Sequence, residues 1–161
     1  DAIQKRVREL GAEVSRDHIG HELCVVGILT GSFVFMADLV RSIEVPLQCE
    51  FLGLSSYGDA TESSGVVAIT KDLGVSIEGR HVLVVEDIVD TGLTLHYLLD
   101  NLGTRKPASL QIASLLSKPA RRRVRVDIDY LGFTIEDRFV VGYGLDHAGR
   151  HRNLPYIGAV D

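Results

Sequence analysis

The sequence predicts an α/β fold, a mostly parallel twisted sheet flanked by helices, in one domain spanning residues 1–161. Three observations carry that expectation. Apolar runs of strand length, such as "LCVVGIL" (23–29) and "HVLVVED" (81–87), alternate with helical patterns, as in a parallel sheet with helical crossovers. No linker, repeat or low-complexity tract interrupts the 161 residues, a length that suits one domain with a sizeable core. The residues capable of chemistry stand where strands end, and ligands of such sheets bind beyond the carboxyl ends of the strands.

In chain order, "IQKRVRELGAEV" (3–14) places Ile3, Val7, Leu10 and Val14 on one helical face, with Gly11 expected to weaken its second half. Strand 23–29 ends in Thr30-Gly31-Ser32 and leads into a helix over 33–43, halted before Pro46. "LQCEFLGL" (47–54) and "VVAIT" (66–70) read as strands on either side of the polar loop 55–65, "SSYGDATESSG". The strand from His81 is followed by a helix, "LTLHYLLDNLG" (93–103), with Gly103 expected as its stop. "ASLQIASLL" (108–116) is another strand, closed by Lys118-Pro119, and "YLGFTI", "FVVGYG" and "YIGAV" supply short β-segments toward the C-terminus.

Hydrophobic residues make up 45% and charged residues 24%, ordinary for a globular domain. The net charge of −5 argues against a general affinity for nucleic acid. The basic run "ARRRVR" (120–125) has no aromatic interleaving and reads as a solvated turn. Cys24 and Cys49 lie in apolar runs and are expected to be buried, reduced thiols. No apolar run reaches the length of a membrane span and no secretory leader is recognisable, so a cytoplasmic protein without a membrane partner is expected. Asp1 stands where an initiator Met would, which leaves room for residues upstream.

The stretch "VLVVEDIVDTGLTL" (82–95) crowds Glu86, Asp87 and Asp90 at one strand end. A single acid before a helix is often an N-cap, which accounts for Asp90 but not for the other two. In "DTGLTL" (90–95) the chain turns at Gly92 and opens a helix. Its first N–H groups, with the Thr91 and Thr94 hydroxyls, make an anion cradle suited to a phosphate. Glu86 and Asp87 are acceptor-only and suit adjacent sugar hydroxyls. So much negative charge asks for a cation such as Mg²⁺. The pattern calls for a phosphorylated ribose and a metal.

"VVEDIVDTGLT" (84–94) resembles the phosphoribosyl pyrophosphate signature of type I phosphoribosyltransferases. "LTGSFVFMADL" (29–39), "SSYG" (55–58), "ASLLSKP" (113–119) and "DRFVVGYGLD" (137–146), with an Arg beyond, occur in the order of the hypoxanthine-guanine (6-oxopurine) branch. The signature identifies the superfamily; "SLLSKP" with "FVVGYGLD" selects the branch. The resemblance runs from about Gly20 to Pro155.

That resemblance implies a type I phosphoribosyltransferase fold with a small hood formed by the chain ends. It implies transfer of a phosphoribosyl group from phosphoribosyl pyrophosphate to a 6-oxopurine in purine salvage, with Mg²⁺ and in a homodimer or homotetramer. By similarity, Glu86 and Asp87 hold the ribose hydroxyls and, with Asp146, the metal. Asp90 faces purine N7 as general acid/base, and Thr91, Gly92, Leu93 and Thr94 cradle the 5′-phosphate. Lys118 presents an ammonium to the purine 6-oxygen; it only donates hydrogen bonds, so it suits a carbonyl and offers nothing to a 6-amino group. Phe139 stacks on the base, the Val140 backbone and Asp146 lie beside it, and Val141 is a plain buried strand residue. Arg152 grips pyrophosphate through its fixed fork of donors. Thr30 and Gly31 contribute backbone N–H groups to pyrophosphate next to a cis peptide bond. Thr30 replaces a Lys or Arg of many relatives, which removes a cation there. Ser56 and Tyr57, in the polar loop, match the closing lid that excludes water; an ordinary surface loop is the plainer alternative.

Two other classes compete. A regulator on the same fold would sense phosphoribosyl pyrophosphate or bind RNA, but the acidic charge and the base-facing set Asp90, Lys118 and Phe139 argue against it. A phosphoacceptor signalling domain leaves the Thr-Gly cradle and "FVVGYGLD" without a purpose.

Overall fold

The computed structural model describes residues 1–56 and 67–160. In chain order come α1 (Ala2–Asp17), β1 (Leu23–Leu29), α2 (Phe33–Val40), β2 (Leu47–Ser56), β3 (Val67–Lys71) and β4 (His81–Val89). They are followed by α3 (Leu93–Gly103), β5 (Ser109–Ser117), a short 3₁₀ turn (Pro119–Arg121), β6 (Tyr130–Thr134), β7 (Phe139–Val141) and β8 (Gly158–Val160). Ser56 ends β2, and Tyr57 with the rest of the expected lid lies outside the described residues.

The main sheet has the order β3-β2-β1-β4-β5-β6, parallel throughout except for the antiparallel pair β2 and β3. β1 and β4 are central because both faces are covered, which is why both are nearly continuous apolar runs. From β1 the chain crosses through α2 to β2 on one side; from β4 it crosses through α3 to β5 on the other. The strand order therefore reverses between β1 and β4, and a crevice opens at their carboxyl ends.

On one face, Val7, Leu10 and Val14 of α1 and Phe35, Met36 and Leu39 of α2 pack with Val25, Leu83, Val85 and Leu115. On the other, Leu95, Leu98 and Leu102 of α3 pack with Val26, Leu52, Val84 and Ile112. Burying each such side chain is worth about 1.5–3 kcal/mol. That packing anchors α3, and so fixes the position of the helix start that carries the phosphate cradle.

β7 and β8 form a separate two-stranded antiparallel sheet. Asp1 to Ile3 line one recess together with Tyr156 and Ile157, so the two chain ends adjoin as expected of a hood. The Tyr143 hydroxyl donates to Asp38 and ties this segment to α2.

Four expectations change in detail. Gly11 does not weaken α1, which runs on to Asp17; a Cβ at Gly11 would come within 2.4 Å of the Ser42 Cβ, so the glycine serves close helix approach. α2 ends at Val40, with Arg41 as its cap, short of residue 43. α3 does stop at Gly103, but the cap is Thr104, whose hydroxyl donates to the Asn101 carbonyl. Cys49 is exposed, because β3 pairs with β2 only from Gly53 to Ser56 and leaves the start of β2 as an open sheet edge; Cys24 is buried and both thiols are free. Among the described residues no helix is long and apolar enough to cross a membrane.

Candidate active site

β4 runs two residues beyond the expected strand, to Val89, and delivers its acids to the crevice. Two recesses adjoin there. The wider, about 390 Å³, is lined by Asp87, Ile88, Asp90, Lys118, Phe139 and Asp146, with Arg121, Val140 and Leu145 completing the wall. The narrower, about 40 Å³, is lined by Glu86, Asp90, Thr91, Gly92 and Thr94 among others. Asp90 faces both. The residues singled out for base and ribose phosphate thus come together around one shared carboxylate.

The cradle turn is held from within. Asp90 Oδ1 accepts the Thr91 N–H at 2.6 Å, and Thr91 Oγ1 accepts the Leu93 N–H at 3.3 Å. Gly92 caps the helix at φ 84, a left-handed conformation that glycine adopts without penalty.

Lys118 is only 8% exposed. Lysine is rarely that buried, because its ammonium seeks water or a partner. The side chain lines the wider recess with Asp90 and Phe139, where a ligand carbonyl would meet it. Phe139 is 48% exposed, and His147 stands edge-on to its ring at a centroid distance of 5.3 Å. An exposed aromatic braced in that way suits stacking on a flat ring. Val141 is buried, as expected of a plain strand residue.

Burial dominates the acids. It lifts Glu86 well above the usual carboxylate range, and the charges of Asp87 and Asp90 push the same way. Burial also raises Asp87 to about 6, against opposing pulls from the Ile88 and Asp87 backbone N–H groups and from Arg152. The Ile88 N–H donates to Asp87 Oδ1 at 2.7 Å. Between about pH 4 and 6 the folded chain holds a proton at Asp87 that the unfolded chain has released. This contribution to stability is full below pH 4 and is lost as the pH rises through 6. Asp87→Asn, neutral throughout, is therefore expected to raise stability at pH 7.5 by about 1–3 kcal/mol, with the gain shrinking to about 1 kcal/mol or less at pH 4.5 and vanishing below pH 4. Urea unfolding at the two pH values checks this; an equal change at both would contradict it.

Across the crevice, the peptide joining Leu29 to Thr30 is cis, as expected, and Gly31 follows it. A Cβ at Gly31 would sit 1.9 Å from Asp87 Oδ2, and one at Gly144 would sit 2.5 Å from the Gly31 carbonyl. Glycine at both positions lets the β1 loop lie between the β4 acids and the hood. Arg152 donates to the Gly144 carbonyl at 2.7 Å and pairs with Asp146 at 3.4 Å. Asp146 also accepts the Gly149 N–H at 2.8 Å.

The acids present suit a hard cation. Magnesium is ordinarily held by one or two carboxylates plus substrate phosphates, and Asp87 and Asp146 face one recess from different elements. Among the described residues no group of three His, Cys, Asp or Glu side chains gathers closely enough to hold a metal alone.

The basic run, expected as a solvated turn, is only partly one. Arg121 lines the wider recess, and Arg122 is half-buried against the acidic loop. Every second residue from Arg122 to Ile128 is half-buried, an alternation that strand-like spacing of Arg122, Val124 and Val126 would have signalled.

Comparison with known proteins gives the family. Residues 1–148 match the phosphoribosyl transferase domain family. The hypoxanthine-guanine phosphoribosyltransferase of Bacillus subtilis is 49% identical over 160 residues, covering 99% of this chain and 89% of that protein. The Trypanosoma cruzi hypoxanthine phosphoribosyltransferase, solved in complex with the product IMP, superposes with a TM-score of 0.94 at 42% identity, covering 99% of this chain and 90% of that one. The bifunctional TilS/HprT proteins of Listeria are 51% identical over 158 residues, and there this chain spans only 24% of the relatives' length.

Proposed function

The chain belongs to the hypoxanthine-guanine phosphoribosyltransferase family, and from that premise we propose that it transfers the 5-phosphoribosyl group of phosphoribosyl pyrophosphate to hypoxanthine or guanine. The products are IMP or GMP and pyrophosphate, and the role is purine salvage. One observation carries the reading: buried Lys118 shares a recess with Asp90 and Phe139, so a hydrogen-bond donor, a carboxylate and an aromatic face converge on a volume suited to a purine.

In this reading Phe139 stacks on the base and Lys118 donates to its 6-oxygen. Asp90 takes the N7 proton as purine N9 bonds to the anomeric carbon and the bond to the pyrophosphate oxygen breaks. Thr91 to Thr94 hold the 5′-phosphate at the start of α3. Glu86 and Asp87 hold the ribose hydroxyls, and the charge of Asp87 above pH 6 favours an anomeric centre that becomes positive on the way to product. Thr30, Gly31 and Arg152 bind the departing pyrophosphate. Asp87 and Asp146, with Glu86, would hold Mg²⁺, which would supply positive charge to offset that of the phosphates. Ser56 and Tyr57 belong to a lid that excludes water. A homodimer or homotetramer in the cytoplasm goes with this reading.

Mg²⁺-dependent conversion of hypoxanthine to IMP, followed by absorbance and titrated with a chelator, tests the proposal. Activity should vanish as divalent ions are removed and return on adding Mg²⁺. Turnover that persists after exhaustive chelation would remove the metal from it.

A further inference from the structure

Arg122 joins the two halves of the site. Its Nε donates to the Asp90 carbonyl at 2.9 Å, and its Nη2 donates to the Val89 carbonyl at 3.3 Å and to the Ser117 hydroxyl at 2.6 Å. Asp90 carries the carboxylate at the end of β4. Ser117 is the last residue of β5, immediately before Lys118, whose own N–H donates to the Val89 carbonyl at 2.9 Å. One guanidinium therefore links the backbone that carries the acid to the strand end that carries the ammonium.

The residues after it close over the same turn. The Arg123 and Val124 N–H groups both donate to the Thr91 carbonyl, at 2.9 and 3.3 Å. A Cβ at Gly92 would meet Val126 Cγ2 at 2.9 Å, the Val124 carbonyl at 3.0 Å and Arg122 Cδ at 3.2 Å. The turn is thus walled from behind by residues 122–126, and only its front faces the recesses.

The chemistry gives this link a purpose. In a 6-oxopurine, N7 and O6 are neighbours on one edge of the base. A carboxylate at N7 and an ammonium at O6 must hold a matching separation, although they sit on different strands. We propose that Arg122 is a positioning residue that sets the spacing of Asp90 and Lys118, and through it the recognition of the N7/O6 edge. This rests on the reading of the preceding subsection. A planar fork suits the task, since it reaches three acceptors at once; the compact ammonium of a lysine does not.

The test measures kcat and KM for guanine with Arg122→Ala, Arg122→Lys, Lys118→Met and the Arg122→Ala/Lys118→Met pair. Arg125→Ala, an exposed site paired with Asp127 two residues away, is the control. Arg122→Ala should lower kcat/KM by about 10–100-fold, mostly in kcat, with Arg122→Lys recovering little and millimolar guanidinium recovering part. In the Lys118→Met background the same substitution should cost much less, because the spacing then has nothing to serve. If Arg122→Ala does not fold, Arg122→Gln takes its place in the cycle. Activity within about twofold of wild type, or fully additive losses with no guanidinium rescue, would overturn the positioning role. An inactive wild-type chain would instead overturn the reading beneath it, and the two failures are distinct because wild-type turnover is measured first.

Discussion

Asp90→Asn is expected to lower kcat by about 10²–10⁴-fold with a much smaller change in KM. The substitution is unusually clean at this position. Asn keeps the side-chain oxygen that accepts the Thr91 N–H, so the cradle turn should retain its shape. The Asp90 carbonyl that Arg122 binds belongs to the backbone and is unaffected. What disappears is the ability to take a proton from purine N7, and that loss falls on the chemical step. The check is kcat measured with chemistry shown to be rate-limiting, for example by single-turnover mixing. An unchanged kcat under those conditions would move the proton acceptor elsewhere, with Asp87 and Asp146 the other carboxylates in the same recess.

Lys118→Met tests base choice. Met preserves most of the apolar stem, which matters because the residue is only 8% exposed, and removes the donor. A hydrogen bond from a charged group is worth about 1.5–3 kcal/mol, so kcat/KM for guanine and hypoxanthine should fall by about 10–200-fold. Adenine has no 6-oxygen to lose, and its low activity should stay level or rise slightly. Preference for 6-oxo over 6-amino purines should therefore narrow. Equal losses for all three bases, in a variant whose circular dichroism is unchanged, would make Lys118 a support for the sheet end instead of the discriminating donor.

Much of this was legible in the chain itself. The bounds of β1 and α3 match the sequence reading to the residue, since an apolar run closed by "TGS" and an amphipathic run closed by Gly-Thr are strong local signals. The acids of β4 and Lys118 stood out because charged residues are out of place at the ends of apolar strands, whereas Phe139, the first residue of β7, was marked only by the resemblance. What was not legible depends on contacts between distant segments. Gly11 looked like a weak point until Ser42 was found against it. Cys49 sits in as apolar a run as Cys24, and only the short reach of β3 leaves it exposed. Arg122 lies among three consecutive arginines, and only its alternation with Val124 and Val126 marks it as the one that turns inward to Val89, Asp90 and Ser117. Charge runs are usually solvated, so their exceptions show only once neighbouring strands are in place.

The most direct measurement is identification of the product by mass spectrometry when the purified chain meets phosphoribosyl pyrophosphate, Mg²⁺ and each of hypoxanthine, guanine, xanthine and adenine in turn. The expected result is IMP from hypoxanthine and GMP from guanine, each with one pyrophosphate released per nucleotide formed, and little or no AMP. Intact phosphoribosyl pyrophosphate and no nucleotide from any 6-oxopurine would contradict the assignment of this crevice to phosphoribosyl transfer.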